Sequence, residues 1–499
     1  MTLDNDNPTP EASEAAANSA DRIRPKLSGV EQDAAHPEIE RLGWYVEHTA
    51  LLIATAKWAL LGGLSGVLVG LCSRLFLAVM YAGIHYGSAI HAGPIRSFWL
   101  LPAALPVCVG IGLWFAPGAG GDGTDQVITA IHTQSGRIQP RVTAAKLLST
   151  LITLAAGGSV GKEGPCAQIG ATVNSLISDV VRLTDDDRRR LVICGIGAGF
   201  AAVFGTPVSG AIFGIEVLYL GRIEYPVIFP CLVASIVAQL VCGTPAPTVN
   251  AATFGAISAP KAFLLVLVFG AIVGLLAVFL IEFTKWLQRR LHLIRGRRPF
   301  ITAACGGALL AVFFQLVGPA YSGLGVPVIN QALEGIFHLA LLACIIKCVA
   351  TALTFESGGS GGIVTPLFFI GSTAGAAFAI RLGLPVRAFA ACGFVAMVAA
   401  AANTPVAAAI MAIELVHGRV GVYAALCACT AYLIVGHRSI HASQMLGVSK
   451  AGGLDMRQDV PFGDVSPRSA SLRAGSLASR ILRQRKPAKP APRDDDQTV

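Results

Sequence analysis

Apolar runs of membrane-crossing length set the first limit on what this chain can become. "TALLIATAKWALLGGLSGVLVGL", "AFLLVLVFGAIVGLLAVFLIEF" and "ALLACIIKCVATALTF" approach or exceed the ~20 apolar residues a helix needs to span a bilayer, and such runs recur along the chain. Only 13% of the 499 residues are charged, against roughly a quarter in soluble domains. The expected class is therefore an all-α polytopic membrane protein in contact with lipid. Residues 1–44 are polar, carry no secretory leader and are expected to form a disordered tail. Residues 45–446 form the expected membrane core. Residues 447–499 form a basic, Pro- and Ser-rich tail, which contributes part of the net charge of +9. Basic residues favour a cytoplasmic position. The tail is short, interrupted by proline and poor in aromatics, which argues against nucleic-acid binding. The twelve cysteines lack C-x-x-C spacing and read as small core hydrophobes.

The core contains a duplication. "KLLSTLITLAAGGSVGKEGPCAQIGAT" from Lys146 aligns with "KCVATALTFESGGSGGIVTPLFFIGST" from Lys347 at a constant offset of 201. Gly157-Gly158-Ser159 meets Gly358-Gly359-Ser360, and Pro165 meets Pro366. A second pair, "CGIGAGFAAVFGTPVSGAIFGIEV" from Cys194 and "CGFVAMVAAAANTPVAAAIMAIEL" from Cys392, follows in the same order. Its matches include Thr-Pro-Val and the acids Glu216 and Glu414. The core is thus two related halves, about 50–245 and 261–446. Duplicated halves are a transporter plan in which substrate binds at their interface.

Each half carries Gly-Gly-Ser-x-Gly-x-x-x-Pro before an apolar run. Proline suits a first helical turn, where its missing N–H costs nothing. The glycines let the backbone turn and leave amides bare. Each segment therefore predicts a helix beginning inside the membrane, which is tolerated only beside a polar cavity or within protein. Two such starts aimed at one point would present unpaired N–H groups and positive dipole ends to an anion. They would hold it less tightly than full charges, which suits passage. "PGAGGDGTDQVITAI" (117–131) offers a third start. No P-loop is present, because Lys162 is followed by Glu163 rather than Ser or Thr. No hydrolase triad or zinc-binding H-E-x-x-H suggests an enzyme, a metal or a cofactor.

"GKEGP" (161–165), "GGIVTP" (361–366) and "GGDGTD" (120–125), in this order and spacing, resemble the CLC family of chloride channels and chloride/proton exchangers. The resemblance covers nearly the whole core. It implies two inverted repeats of tilted, often broken helices, in a homodimer with one ion path per subunit. A bacterial inner-membrane protein with cytoplasmic tails is implied, with chloride as partner and protons as a further partner in exchangers. Glu163 corresponds to the family's gating glutamate, whose carboxylate mimics the permeating anion. The backbone around Gly161, Lys162 and Gly164, and around Ile363, Val364 and Thr365, would face the ion. Lys146 and Lys347 match basic positions that bias the interior towards anions, and Lys162 belongs to the outer mouth or to solvent.

Three positions depart from the family pattern. Val217 in "FGIEVL" stands where exchangers place an inner, proton-relaying glutamate. Asp122 stands where a serine hydroxyl usually meets chloride, so that Asp122 must turn away or be neutralised, or Thr124 must replace it. His441 stands at the inner tyrosine and can change charge near neutral pH. The resulting expectation is Glu163-gated chloride transport, channel-like because of Val217. A chloride/proton antiporter is the alternative, and a carrier of another anion follows.

Overall fold

A computed structural model gives the fold and describes residues 37–90, 96–116, 121–244, 253–255, 257–337, 339, 342–416, 419–465, 471–473 and 475–483. The chain divides into two compact units, Met1–Trp58 and Ala59–Val499. In the first, the described residues belong to the opening of helix α1. The site lies wholly within the second.

Among the described residues, the halves carry matching sets of eight α-helices. The first set is α1 (Pro37–Ile90), α2 (Leu101–Phe115), α3 (Gly123–Thr133), α4 (Pro140–Ala155), α5 (Glu163–Val181), α6 (Asp185–Phe204), α7 (Pro207–Glu216) and α8 (Ile228–Cys242). The second is α9 (Ala259–Arg297), α10 (Pro299–Val317), α11 (Val326–Leu333), α12 (Ala343–Glu356), α13 (Val364–Arg381), α14 (Val386–Ala402), α15 (Pro405–Leu415) and α16 (Arg419–Ile434). Six helical stretches, Trp44–Tyr86, Ser97–Phe115, Tyr225–Cys242, Ala259–His292, Pro299–Val317 and Val364–Arg381, are long and apolar enough to span a membrane. Helices α14 to α16 are apolar but only 10–17 residues long. At 1.5 Å per residue they fall short of a full crossing.

Local chemistry sets the breaks. Helix α6 starts at Thr184, whose side chain accepts the Asp187 N–H, with Asp185, Asp186 and Asp187 on the favourable end of the dipole. It stops at Gly205, in the left-handed region at φ 71°. Helix α14 stops likewise at Asn403, φ 56°. A Thr-Pro follows each stop, and Pro207 and Pro405 begin α7 and α15.

Small residues let the helices touch backbone to backbone. A Cβ on Gly170 would strike the Gly195 carbonyl, and one on Gly371 would strike that of Gly393. The pairs α5/α6 and α13/α14 therefore pack as small-residue membrane helices do. Across the halves the same bond is made twice: Ser159 N–H donates to Thr354 Oγ1 at 3.2 Å, and Ser360 N–H to Thr153 Oγ1 at 3.2 Å. This exchange of partners gives the core a local two-fold relation.

Short strands pin the ends of the site. Strand β1 (Gly121–Asp122) lies parallel to Ser360–Gly361, with Gly121 opposite Ser360 and Asp122 opposite Gly361. Tyr219–Leu220, just after α7, pairs with Met445–Leu446, which in turn pairs antiparallel with Val460–Pro461.

Candidate anion site at the helix starts

The two glycine-rich breaks join. Gly161 N–H donates to Gly362 O at 2.6 Å and Gly362 N–H to Gly161 O at 2.9 Å. Helices α5 and α13, one from each half, consequently begin side by side. The pairing of β1 with Ser360–Gly361 brings the start of α3 to the same place. Pro165 and Pro366 carry no N–H, so the donors of these first turns are the amides just ahead of them. Converging helix starts of this kind form an anion site from dipoles and N–H groups.

A carboxylate occupies that junction. Glu163 is 2% exposed. Its Oε2 accepts the Thr365 hydroxyl at 2.7 Å. A hydroxyl from the second half thus reaches a side chain of the first. A Cβ on Gly161 or Gly362 would collide with the Glu163 carboxylate, which explains glycine at both positions. Oε1 has no hydrogen-bond partner. The carboxylate lies where the two helix starts meet.

On the other side of Gly164 lies a second acid. A Cβ on Gly164 would come within 2.8 Å of Asp122 Oδ1, so Asp122 turns towards the helix starts. Asp122 Oδ2 stands 3.0 Å from His441 Nδ1, an ion-pair distance whose alignment falls short of a hydrogen bond. His441 is fully buried, and its Nε2 has no hydrogen-bond partner. Asp125, one turn along α3, accepts the Ser443 N–H at 2.8 Å and anchors the loop that carries His441. A cavity of about 730 Å³ reaches this place, with Asp122, Asp125, Ile440 and Ala442 on its wall and Gln288 and His292 of α9 at an exposed end.

The Lys146 ammonium is buried and donates to the Gly121 carbonyl ahead of α3. Lys347 donates to Tyr321 O at 2.9 Å and Gly323 O at 2.8 Å, ahead of α11. Both lysines therefore brace corresponding turns in the two halves. Lys162 donates to Tyr81 Oη at 2.8 Å. Thr124 is buried in the first turn of α3, and Ile363 and Val364 are buried where α13 begins. Val217 is buried at the end of α7 and offers no titratable group.

Sequence reasoning missed three things. The expectation for Thr365 is a role through its backbone, yet its hydroxyl binds the Glu163 carboxylate directly. Asp125 and Gln168 also went unnoticed. A Cβ on Gly123 would lie 3.2 Å from Gln168 Oε1, which has no hydrogen-bond partner. The acid recurring in "GGDGTD" was the available signal for Asp125; none existed for Gln168.

Known proteins resemble the chain over most of its core. Residues 104–436 match the family described as voltage gated chloride channel. A chloride/fluoride channel protein of Pseudomonas syringae pv. tomato is 36% identical over 421 residues, covering 81% of this chain and 90% of that protein. The crystal structure of a CLC-type fluoride/proton antiporter superposes with a TM-score of 0.71 at 26% identity, over 78% of this chain and 98% of that one. A slow cyanobacterial Cl−/H+ antiporter shares the fold, with a TM-score of 0.65 at 20% identity over 76% of this chain and 94% of its own. The extent of these matches and the joined helix starts lead to one assignment: the chain belongs to the CLC family of voltage-gated chloride channels and transporters, integral membrane proteins of two repeated halves.

Proposed function

We propose that this protein moves halide anions across a bacterial plasma membrane, with Glu163 as the gate. The observation that carries the reading is the Glu163 carboxylate at the junction of α5 and α13, held by the Thr365 hydroxyl of the other half. An arriving anion competes with it for that donor. Protonation removes the charge that holds it there. The cargo is chloride or fluoride, the two halides named for the relatives. Glu163, Thr365, Asp122 and His441 cluster without a second subunit, in keeping with one ion path per subunit, and the family resemblance adds a homodimer with cytoplasmic tails to the proposal.

Two modes of transport have specific support. Val217 favours passive conduction, since an isopropyl group relays no proton. The Asp122–His441 pair favours proton exchange, because it places titratable groups beside the anion site. Anion efflux from proteoliposomes tests the common reading. Glu163→Gln mimics the protonated gate and should make flux nearly independent of pH; a pH dependence identical to wild type overturns the gate assignment.

A further inference from the structure

We infer that Asp122 and His441 together form the inner proton-holding site of this protein, in place of a carboxylate at position 217. The inference rests on the Glu163-gated reading and specifies how protons reach that gate.

Three observations meet here. His441 is fully buried and 3.0 Å from Asp122 Oδ2. Asp122 Oδ1 and His441 Nε2 have no hydrogen-bond partner, so the pair has spare capacity on both members. A buried pair with unsatisfied polar atoms calls for a ligand, and here protons and water supply it. Asp122 also lines the cavity that runs to the exposed Gln288 and His292, giving protons an entry path. Asp122 Oδ1 faces Gly164, the residue next to Glu163, so the pair stands beside the start of α5.

The charge balance suits an anion path. With one proton on His441, imidazolium and Asp122 carboxylate cancel, and chloride meets no net negative charge. The surrounding ionisable groups are compatible with this. Asp125 bonds to Ser443 N–H and Lys146 to Gly121 O, so both are held in place. Lys285, His292 and Glu356 lie farther along the cavity wall. In the transfer step the imidazolium N–H breaks and the Glu163 carboxylate gains the proton through intervening water. This leaves neutral imidazole and a carboxylic acid. His441 is then reprotonated from the cavity by way of Asp122. No other reactant is needed.

The test uses the full chain in proteoliposomes, with a chloride gradient and, separately, a fluoride gradient as driving force. Anion and proton movement are recorded together. Wild type should drive protons uphill. His441→Gln and Asp122→Asn should each lower the protons moved per anion by about tenfold or more. A variant that still moves anions is folded, so the ratio remains readable. Should one variant prove inactive, His441→Tyr, the family's usual side chain, reads the same ratio. Wild-type coupling that persists in all of these variants overturns the inference, as does anion flux in wild type with no proton movement. Absence of any anion flux in wild type would instead overturn the transport reading itself.

Discussion

Glu216 and Glu414 cap each other's half of the molecule. The Glu216 carboxylate accepts the N–H groups of Val406 at 3.0 Å and Ala407 at 2.8 Å, at the start of α15. Glu414 accepts those of Val208 and Ser209, both at 2.9 Å, at the start of α7. Each acid ends one short helix and satisfies the first turn of its counterpart, where a negative charge is favoured. The two halves are thus fastened by charge-assisted bonds between the short helices that follow the Thr-Pro stops.

Removing either cap should loosen this joint. Glu216→Ala leaves two amides without partners, at about 1–3 kcal/mol each when buried. Glu216 is buried and Glu414 is half-buried, so Glu414→Ala should lose less. Thermal unfolding in detergent measures both. Equal melting temperatures for wild type and Glu216→Ala would remove the cap from the account of stability.

At Gly362 there is no room for a side chain. A Cβ would meet the Gly164 amide nitrogen at 2.5 Å and collide with the Glu163 carboxylate. Gly362→Ala should therefore push the Glu163 carboxylate off Thr365 and, on the proposed reading, change flux strongly at fixed pH. Gly83, whose Cβ would meet nothing within 4 Å, is the control and should tolerate alanine with flux intact. Parallel flux assays separate the two.

The buried lysines make a further comparison. Lys146 braces the turn before α3, which carries Asp122; Lys347 braces the turn before α11. Lys146→Met should therefore depress transport more than Lys347→Met, while both lower the melting temperature. Loss of transport confined to Lys347→Met would show that the lysines act otherwise than through these turns.

Lys450 gives a prediction for pH. It lies beyond α16, where its Nζ donates to Asn403 Oδ1 at 2.6 Å and Tyr432 O at 2.8 Å. Burial pushes its ammonium down to about 6 from an ordinary 10.5. His437, which accepts the Lys450 N–H at 2.9 Å, is also lowered, first by burial and then by Lys450 and Arg438. Between those Lys450 values the unfolded chain binds a proton that the folded chain does not, so stability rises with pH in that window. His437 acts in the same direction: its share is present above its ordinary 6.5 and falls away as the medium becomes more acidic. Wild type should thus melt at a lower temperature near about pH 6 than near about pH 8. Lys450→Met should flatten that difference, as melting curves across the range will show.

Much of the architecture was legible because membrane folding leaves few choices. Apolar runs of spanning length, the repeat at an offset of 201 and Pro after Gly-Gly-Ser each follow from needs of the backbone in lipid, and they foretold the duplicated core and the broken helices. Glu163 stood out because a lone acid in such a run is conspicuous. Partnerships were another matter. That Asp122 faces His441, over three hundred positions away, depends on β1 pairing with Ser360–Gly361 and on Asp125 holding the loop at Ser443.

The chain alone, then, determined its medium and its two-part plan and singled out Glu163, since hydropathy and backbone satisfaction act locally. Only the tertiary structure decided which donors close on Glu163, that Lys146 and Lys347 brace turns, and that Glu216 and Glu414 trade helix starts. Those outcomes belong to contacts between distant segments, whose distances and angles arise only when the two halves dock.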